Sequence, residues 1–295
     1  MSTQHERIAI VTGANNGIGF ETTVGMADAG FHVIMACRSE AKADAAKADV
    51  IARVPTASLD ILLLDLSDPD SVRAFADVFR ARHGKLDVLI NNAGILLYSA
   101  QTNADGVELQ FATNHLGHFL LTALLADMIP DDPASRIVSL SSIAHKSARI
   151  HFDDLTCEQD PAAAYGQSKL ACLLFGDELA RRLKVAGQTI RALTVHPGGS
   201  DSGLFNELDP ASREAMKAQV APLLHSNADA AKPSLFAALS DRVEGGDFYG
   251  PTGPEEMSGK TGAAIRNPVS EDDAIAKRLW RLSEEMTGQT FAIGG

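Results

Sequence analysis

A short apolar run, Arg7-Ile-Ala-Ile-Val-Thr12, passes without a linker into a glycine-rich turn, Gly13-Ala14-Asn15-Asn16-Gly17-Ile18-Gly19, and then into a helical stretch from Phe20 to Ala29. No other feature restricts the fold of this chain as much. The glycines let backbone approach a ligand closely, and the helix N terminus offers unpaired N–H groups and a partial positive charge, so the arrangement makes a phosphate site. Strand-like and helix-like segments then alternate. Strands are expected at Phe31–Ala36, Leu59–Leu66, Leu86–Ile90, Arg136–Ser142, Thr189–Val195 and Gly246–Gly250, and helices at Glu40–Ala52, Gly106–Met128, Ala162–Lys184, Asn227–Ser240 and Asp272–Met286. This alternation predicts an α/β fold, a doubly wound parallel sheet of seven strands, in one domain spanning residues 1–295. Ligands in such a sheet belong at the C-terminal ends of the strands, where the polar motifs of this chain fall.

The second strand ends at Cys37-Arg38. An acidic side chain near this point suits the ribose 2′-hydroxyl of NAD, whereas an arginine suits the 2′-phosphate of NADP. A charge-assisted hydrogen bond is worth roughly 1.5 to 3 kcal/mol, which is about one to two decades of preference. Arg38 therefore predicts NADP(H), against the plainer reading of an arginine in solvent at a strand end.

Tyr165 and Lys169 lie four residues apart in a stretch whose leucines, at 170, 173, 174, 179 and 183, recur at helical spacing. The two side chains then share a face. A free phenol keeps its proton up to a pKa near 10, so it works as an acid and base at neutral pH only if its phenolate is stabilised, which a lysine charge one turn away can do. Asn114 interrupts an apolar helical stretch, and a buried amide there needs partners. His115 and His118 flank it without a carboxylate or cysteine at ligand spacing, so packing is expected of both and no metal site is predicted.

Bulk properties exclude several classes of function. A net charge of −12 disfavours nucleic acid or an anionic membrane surface as partner. The 45% hydrophobic content includes no apolar run of membrane-spanning length, and the polar start, Met1 to Arg7, resembles no signal peptide. A cytoplasmic protein is expected. Three cysteines, Cys37, Cys157 and Cys172, are too few for a disulfide framework.

Taken together, Thr12-Gly13-x-x-x-Gly17-x-Gly19, Asn91-Asn92-Ala93-Gly94, Asn114, Ser142, the Tyr165/Lys169 pair and Pro197-Gly198 resemble the motif set of the short-chain dehydrogenase/reductase family over essentially the whole chain. The 22 residues between Ser142 and Tyr165 are more than many members have, and with Ala144-His145-Lys146-Ser147 and Ile150-His151-Phe152-Asp153-Asp154-Leu155 they resemble the retinol-dehydrogenase and protochlorophyllide-reductase-like branch.

The resemblance implies a Rossmann fold and an NADP(H)-dependent alcohol dehydrogenase or carbonyl reductase. Asn114, Ser142, Tyr165 and Lys169 would be catalytic. Gly13, Asn15, Asn16, Gly17, Ile18, Gly19, Arg38, Asp65, Leu66, Asn91, Ala93, Gly94, Tyr165, Lys169, Pro197, Gly198, Ser200 and Ser202 would bind the cofactor, with Asp65 at the adenine and the last four at the nicotinamide carboxamide. Ser200 and Ser202 stand where the family usually has valine and threonine. A segment at about 199–226 would cover a small-molecule carbonyl or alcohol, and Ile95, Leu96, Leu97, Ile143, Leu204 and Phe205 suggest a lipophilic one. A homodimer or homotetramer built on the helices around Asn114 and Tyr165 is also implied. Two other functions remain open on the sequence: reduction of a C=C bond, and a non-enzymatic NADPH sensor or scaffold, for which the complete catalytic set would have no use.

Overall fold

The computed structural model describes residues 7–158, 160–200, 209–212, 214–215 and 224–292. Its centre is β1 (Ile8–Thr12), an apolar strand with no exposed residue. Successive side chains of a strand point to opposite faces, so a strand buried on both sides feeds two cores. Ile8 and Ile10 join one core, with Ile34, Leu89 and Ile137, while Ala9 and Val11 join the other, with Val33, Met35, Val88 and Ile90.

Helices cover both faces. α1 (Gly17–Asp28), α2 (Glu40–Arg53) and α7 (Asn227–Leu239) close the second core through Met26, Val50, Ala230 and Ala237. On the other face α3 (Pro69–Arg82), α5 (Gly117–Leu125) and α6 (Pro161–Val185) contribute Phe75, Phe79, Phe119, Phe175 and Leu179. α3 starts as its sequence suggests, with Pro69 in the first turn and the Asp68 carboxylate accepting from Asp70 N–H.

Among the described residues the sheet has eight strands, with β2 (His32–Cys37), β3 (Ser58–Leu63), β4 (Val88–Asn91), β5 (Arg136–Leu140), β6 (Arg191–Val195), β7 (Phe248–Pro251) and β8 (Thr261–Ala263) in the spatial order 3-2-1-4-5-6-7-8. Seven of them run parallel as expected, and β8 adds an antiparallel edge, pairing Tyr249 with Ala263 and Pro251 with Thr261. The order reverses between β1 and β4, which opens a crevice at the C-terminal ends of those strands.

The helix expected from Gly106 is broken differently. Gly106 sits in a turn at φ 76, and Glu108 then caps a short α4 (Leu109–Phe111) by accepting from the N–H groups of Gln110 and Phe111. A π-helical turn, Ala112–Leu116, carries Asn114 before α5 begins.

The outer side of α5 and α6 is covered by this chain's own α8 (Asp273–Thr287). Trp280 lies 5.1 Å from the Phe119 ring and 5.8 Å from Phe175, and Ser283 Oγ meets His115 Nε2 at 2.7 Å. α8 thus occupies part of the outer surface of α6 and of the turn that carries Asn114. Among the described residues no helix is long and apolar enough to cross a membrane.

Candidate active site

The crevice is a groove of about 400 Å³. Its floor is set by Thr12, the last residue of β1. The Thr12 hydroxyl oxygen accepts from the N–H groups of Asn92 and Ala93, both at 2.9 Å, and the Asn92 side chain returns a bond to the Thr12 carbonyl at 2.7 Å. Two motifs far apart in sequence are thereby locked together at the switch point.

The glycine turn fits a dinucleotide phosphate. Gly13 and Gly17 hold φ of 67 and 54, a region that disfavours side chains. A Cβ on Gly19 would fall 2.2 Å from the Gly13 carbonyl oxygen and 2.5 Å from Asn92 Nδ2, so only glycine lets the turn and α1 close this tightly. Asn16, at the N-cap of α1, makes no side-chain cap bond, so its side chain leaves the first-turn N–H groups to another acceptor. Cys37 lies beneath the turn; burial pushes its thiol up to about 11, against hydrogen bonds from the Ala14 and Asn15 backbones. A neutral, inert thiol results. Arg38 is exposed beside it and lines the groove.

Of the expected residues, Gly13, Asn15, Asn16, Ile18, Gly19, Arg38, Asp65, Leu66, Ala93, Gly94, Ser142, Tyr165, Lys169, Pro197, Gly198 and Ser200 line this one groove, with Ile95, Leu96 and Leu97. Gly17 shapes the turn without lining it. Asn91 does not line the groove: its side chain is turned into the core and donates to Thr122 Oγ1 at 3.0 Å, while the neighbouring Asn92 is in the lining. Ser202, Leu204 and Phe205, with most of the segment expected to cover the substrate, fall outside the described residues.

The acid–base pair is carried by α6. Tyr165 is 9% exposed and Lys169 4%. The Lys169 ammonium lies 5.9 Å from the centre of the Tyr165 ring and donates to the Leu140 carbonyl at 3.1 Å. Ser141, at the end of β5, ties the helix down by donating to the Lys169 carbonyl at 2.7 Å. Ser142 opens the 3₁₀ turn Ile143–Ser147, where its Oγ accepts from Ala144 N–H at 3.3 Å. That role uses a lone pair and leaves the hydroxyl proton to donate into the groove.

Asn114 stands behind the groove wall. Its Oδ1 accepts from Ile95 N–H at 2.8 Å, and its Nδ2 donates to the Ile95 carbonyl and to Ser168 Oγ at 3.0 and 2.9 Å. The amide grips the Gly94-Ile95 loop, and both Asn114 Oδ1 and Lys169 Nζ close on Gly94.

His118, expected only to pack, joins this set through Thr12. Tyr98 was also missed. Its phenol is pushed up by partial burial and by electrostatic interaction with Tyr165, although Tyr98 is not part of the groove lining. Neither residue carries a signal in sequence spacing, since each reaches the site only through the folded path of another segment.

Known proteins similar to this chain fall in one family. The sequence profile described as short chain dehydrogenase matches residues 7–213. Retinol dehydrogenase 13 of Homo sapiens is 37% identical over 293 residues, covering 96% of this chain and 85% of that protein. A crystal structure of an uncharacterized protein from Mycobacterium paratuberculosis is 38% identical with a TM-score of 0.79, over 97% of this chain and 95% of that one. The RhlG/NADP active-site complex of Pseudomonas aeruginosa is 25% identical with a TM-score of 0.64, over 82% and 93% of the two chains.

Proposed function

This chain belongs to the short-chain dehydrogenase family of oxidoreductases, and from that premise we propose that it is an NADP(H)-dependent enzyme interconverting a lipophilic ketone or aldehyde and its alcohol. The observation that carries the reading is that Ser142, Tyr165 and Lys169 line the same groove as the glycine turn and Arg38. A reduced nicotinamide dinucleotide bound there supplies the hydride. In this reading Tyr165 gives its proton to the carbonyl oxygen, and Ser142 donates a hydrogen bond to that oxygen as its negative charge grows. The Lys169 ammonium stabilises the phenolate left behind, because opposite charges attract strongly in a site with little water. Asn114 would anchor a water near Gly94 that returns protons from solvent to Lys169.

The cofactor would be held by Gly13 to Gly19 at its phosphates, Arg38 at a 2′-phosphate, and Asp65 and Leu66 at the adenine. Asn91, Ala93 and Gly94, followed by Pro197, Gly198, Ser200 and Ser202, would hold the nicotinamide half. The NADP-bound relative supports the choice of dinucleotide, and relatives named for retinol, together with Ile95, Leu96 and Leu97, support a bulky apolar substrate. The segment at about 199–226 would cover it. A homodimer or homotetramer would be built on the surface of the helices around Asn114 and Tyr165 that α8 leaves open.

The test is NADPH oxidation with a panel of aryl ketones, long-chain aldehydes, retinoids, steroids and diketones. Turnover is expected with at least one apolar class, and Tyr165→Phe should lower it by about 10² to 10⁴-fold with NADPH binding kept. Tight NADPH binding without turnover on the whole panel would favour a sensor, and a product saturated at carbon would favour C=C reduction.

A further inference from the structure

The loop after β7 carries a buried carboxylate that the steps above do not use. Glu256 is 6% exposed. Its Oε2 lies 2.8 Å from Lys146 Nζ and 3.3 Å from His196 Nε2, while Oε1 accepts from Ile265 N–H at 2.8 Å. Lys146 belongs to the 3₁₀ turn that Ser142 caps. His196 is the residue between β6 and Pro197-Gly198.

These contacts are tight. His196 is fully buried, with its Nε2 2.1 Å from where a Cβ on Gly250 would stand, so the ring packs on bare backbone of β7. Gly198 N–H donates to His196 Nδ1 at 3.3 Å. The residue after Glu256 continues the grip: the Met257 carbonyl accepts from Gly199 N–H at 2.7 Å and lies 2.4 Å from where a Gly198 Cβ would be. Glu255 and Glu256 reach these positions with φ of 53 and 57, a left-handed conformation that side-chain-bearing residues hold only where surrounding contacts impose it.

We infer that Glu256 is a positioning residue for the nicotinamide end of the cofactor, holding the Pro197–Gly199 loop in register with the Ser142 turn. The inference rests on the cofactor reading of the preceding subsection. Those two segments follow different strands, β5 and β6, and Glu256 contacts a side chain from each of them. One carboxylate shared between Lys146 and His196 fixes the spacing between the hydroxyl donor and the loop assigned to the carboxamide, and preorganisation of that kind is what a site loses first when its supporting contacts go.

The test compares binding of NADPH with binding of adenosine 2′,5′-bisphosphate, which carries only the adenosine half, by calorimetry on wild type and Glu256→Gln. Glutamine keeps the volume and an acceptor for Ile265 but loses the charge. The expected result is about a tenfold weaker NADPH complex with the bisphosphate unchanged. An equal loss for both ligands marks a general loosening of the fold and overturns the inference, as does no loss for either. If Glu256→Gln does not fold, Lys146→Met serves, with the same selective loss expected and an unchanged NADPH affinity overturning the proposal. A wild type that binds neither ligand refutes the cofactor reading itself, and this inference with it.

Discussion

Thr12 donates its hydroxyl proton to His118 Nε2 at 2.8 Å, and this bond joins the two halves of the groove floor. The hydroxyl oxygen already accepts from Asn92 and Ala93, so its single proton is left for the imidazole. His118 Nδ1–H in turn donates to the Asn114 carbonyl at 3.0 Å, which assigns the tautomer. A ring that must accept on one nitrogen and donate on the other has to be neutral. Burial ensures this, holding the pKa down at about 4.

Removing the hydroxyl should therefore cost more than one hydrogen bond. Thr12→Val strands a buried N–H, a half-buried N–H and an imidazole acceptor, and each buried stranded group costs about 1 to 3 kcal/mol. A loss of about 3 kcal/mol or more is expected in urea unfolding, with Thr12→Ser within about 1 kcal/mol of wild type. A valine variant as stable as the serine one would sink the account.

In the proposed function Arg38, which lines the groove, would meet the 2′-phosphate. Arg38→Ala should raise the Michaelis constant for NADPH by about 10 to 100-fold and leave that for NADH within about twofold. Equal effects on the two cofactors would show that the guanidinium meets a group they share.

Most of this architecture could be read before folding, for identifiable reasons. Strands such as β1 are apolar at all but their last position because both faces are buried, and the glycines of the turn are demanded by backbone geometry, so each leaves a local mark. β8 leaves none: Thr261-Gly262-Ala263 has no apolar pattern and becomes a strand by pairing with β7. The π turn at Asn114 was hidden inside an apolar helical run, because widening a helix by one residue barely alters its composition. Choosing Ser142 over Ser139 and Ser141 needed family resemblance; in the structure Ser141 donates to the Lys169 carbonyl, whereas Ser142 Oγ accepts from Ala144 N–H. Glu256 stayed invisible since only tertiary contacts bring it in.

Buried histidines make acid sensitivity predictable in sign. Burial lowers His115 to about 3, with His118 adding repulsion, and lowers His118 and His196 to about 4. In the unfolded chain each would titrate near 6.5. Below that pH the unfolded state binds protons that the native state refuses, so stability is full above pH 6.5 and falls toward pH 4. Each such histidine contributes a slope of up to about 1.4 kcal/mol per pH unit. His115→Gln, which retains a donor for Ser283, should flatten the slope by about one proton's worth in unfolding curves taken between pH 4 and 7. An unchanged slope would mean that His115 is protonated in the native protein.

Gly94 offers the most direct way to disturb the ammonium while keeping every catalytic side chain. Its backbone is not in the left-handed region, so alanine brings no conformational penalty of that kind. The added methyl would stand 2.9 Å from Lys169 Nζ and 3.3 Å from Asn114 Oδ1, closer than side-chain carbons normally come. The lysine tip is the softer of the two, because Asn114 is held by three hydrogen bonds and the ammonium by one, to the Leu140 carbonyl. Gly94→Ala should then shift the ammonium relative to Tyr165 and lower turnover by about tenfold or more, since charge stabilisation and proton transfer both depend on that placement. Unfolding stability should change by about 1 kcal/mol at most, because a flexible chain end is what gives way. Full turnover in the alanine variant would mean that the position of the ammonium does not limit the reaction.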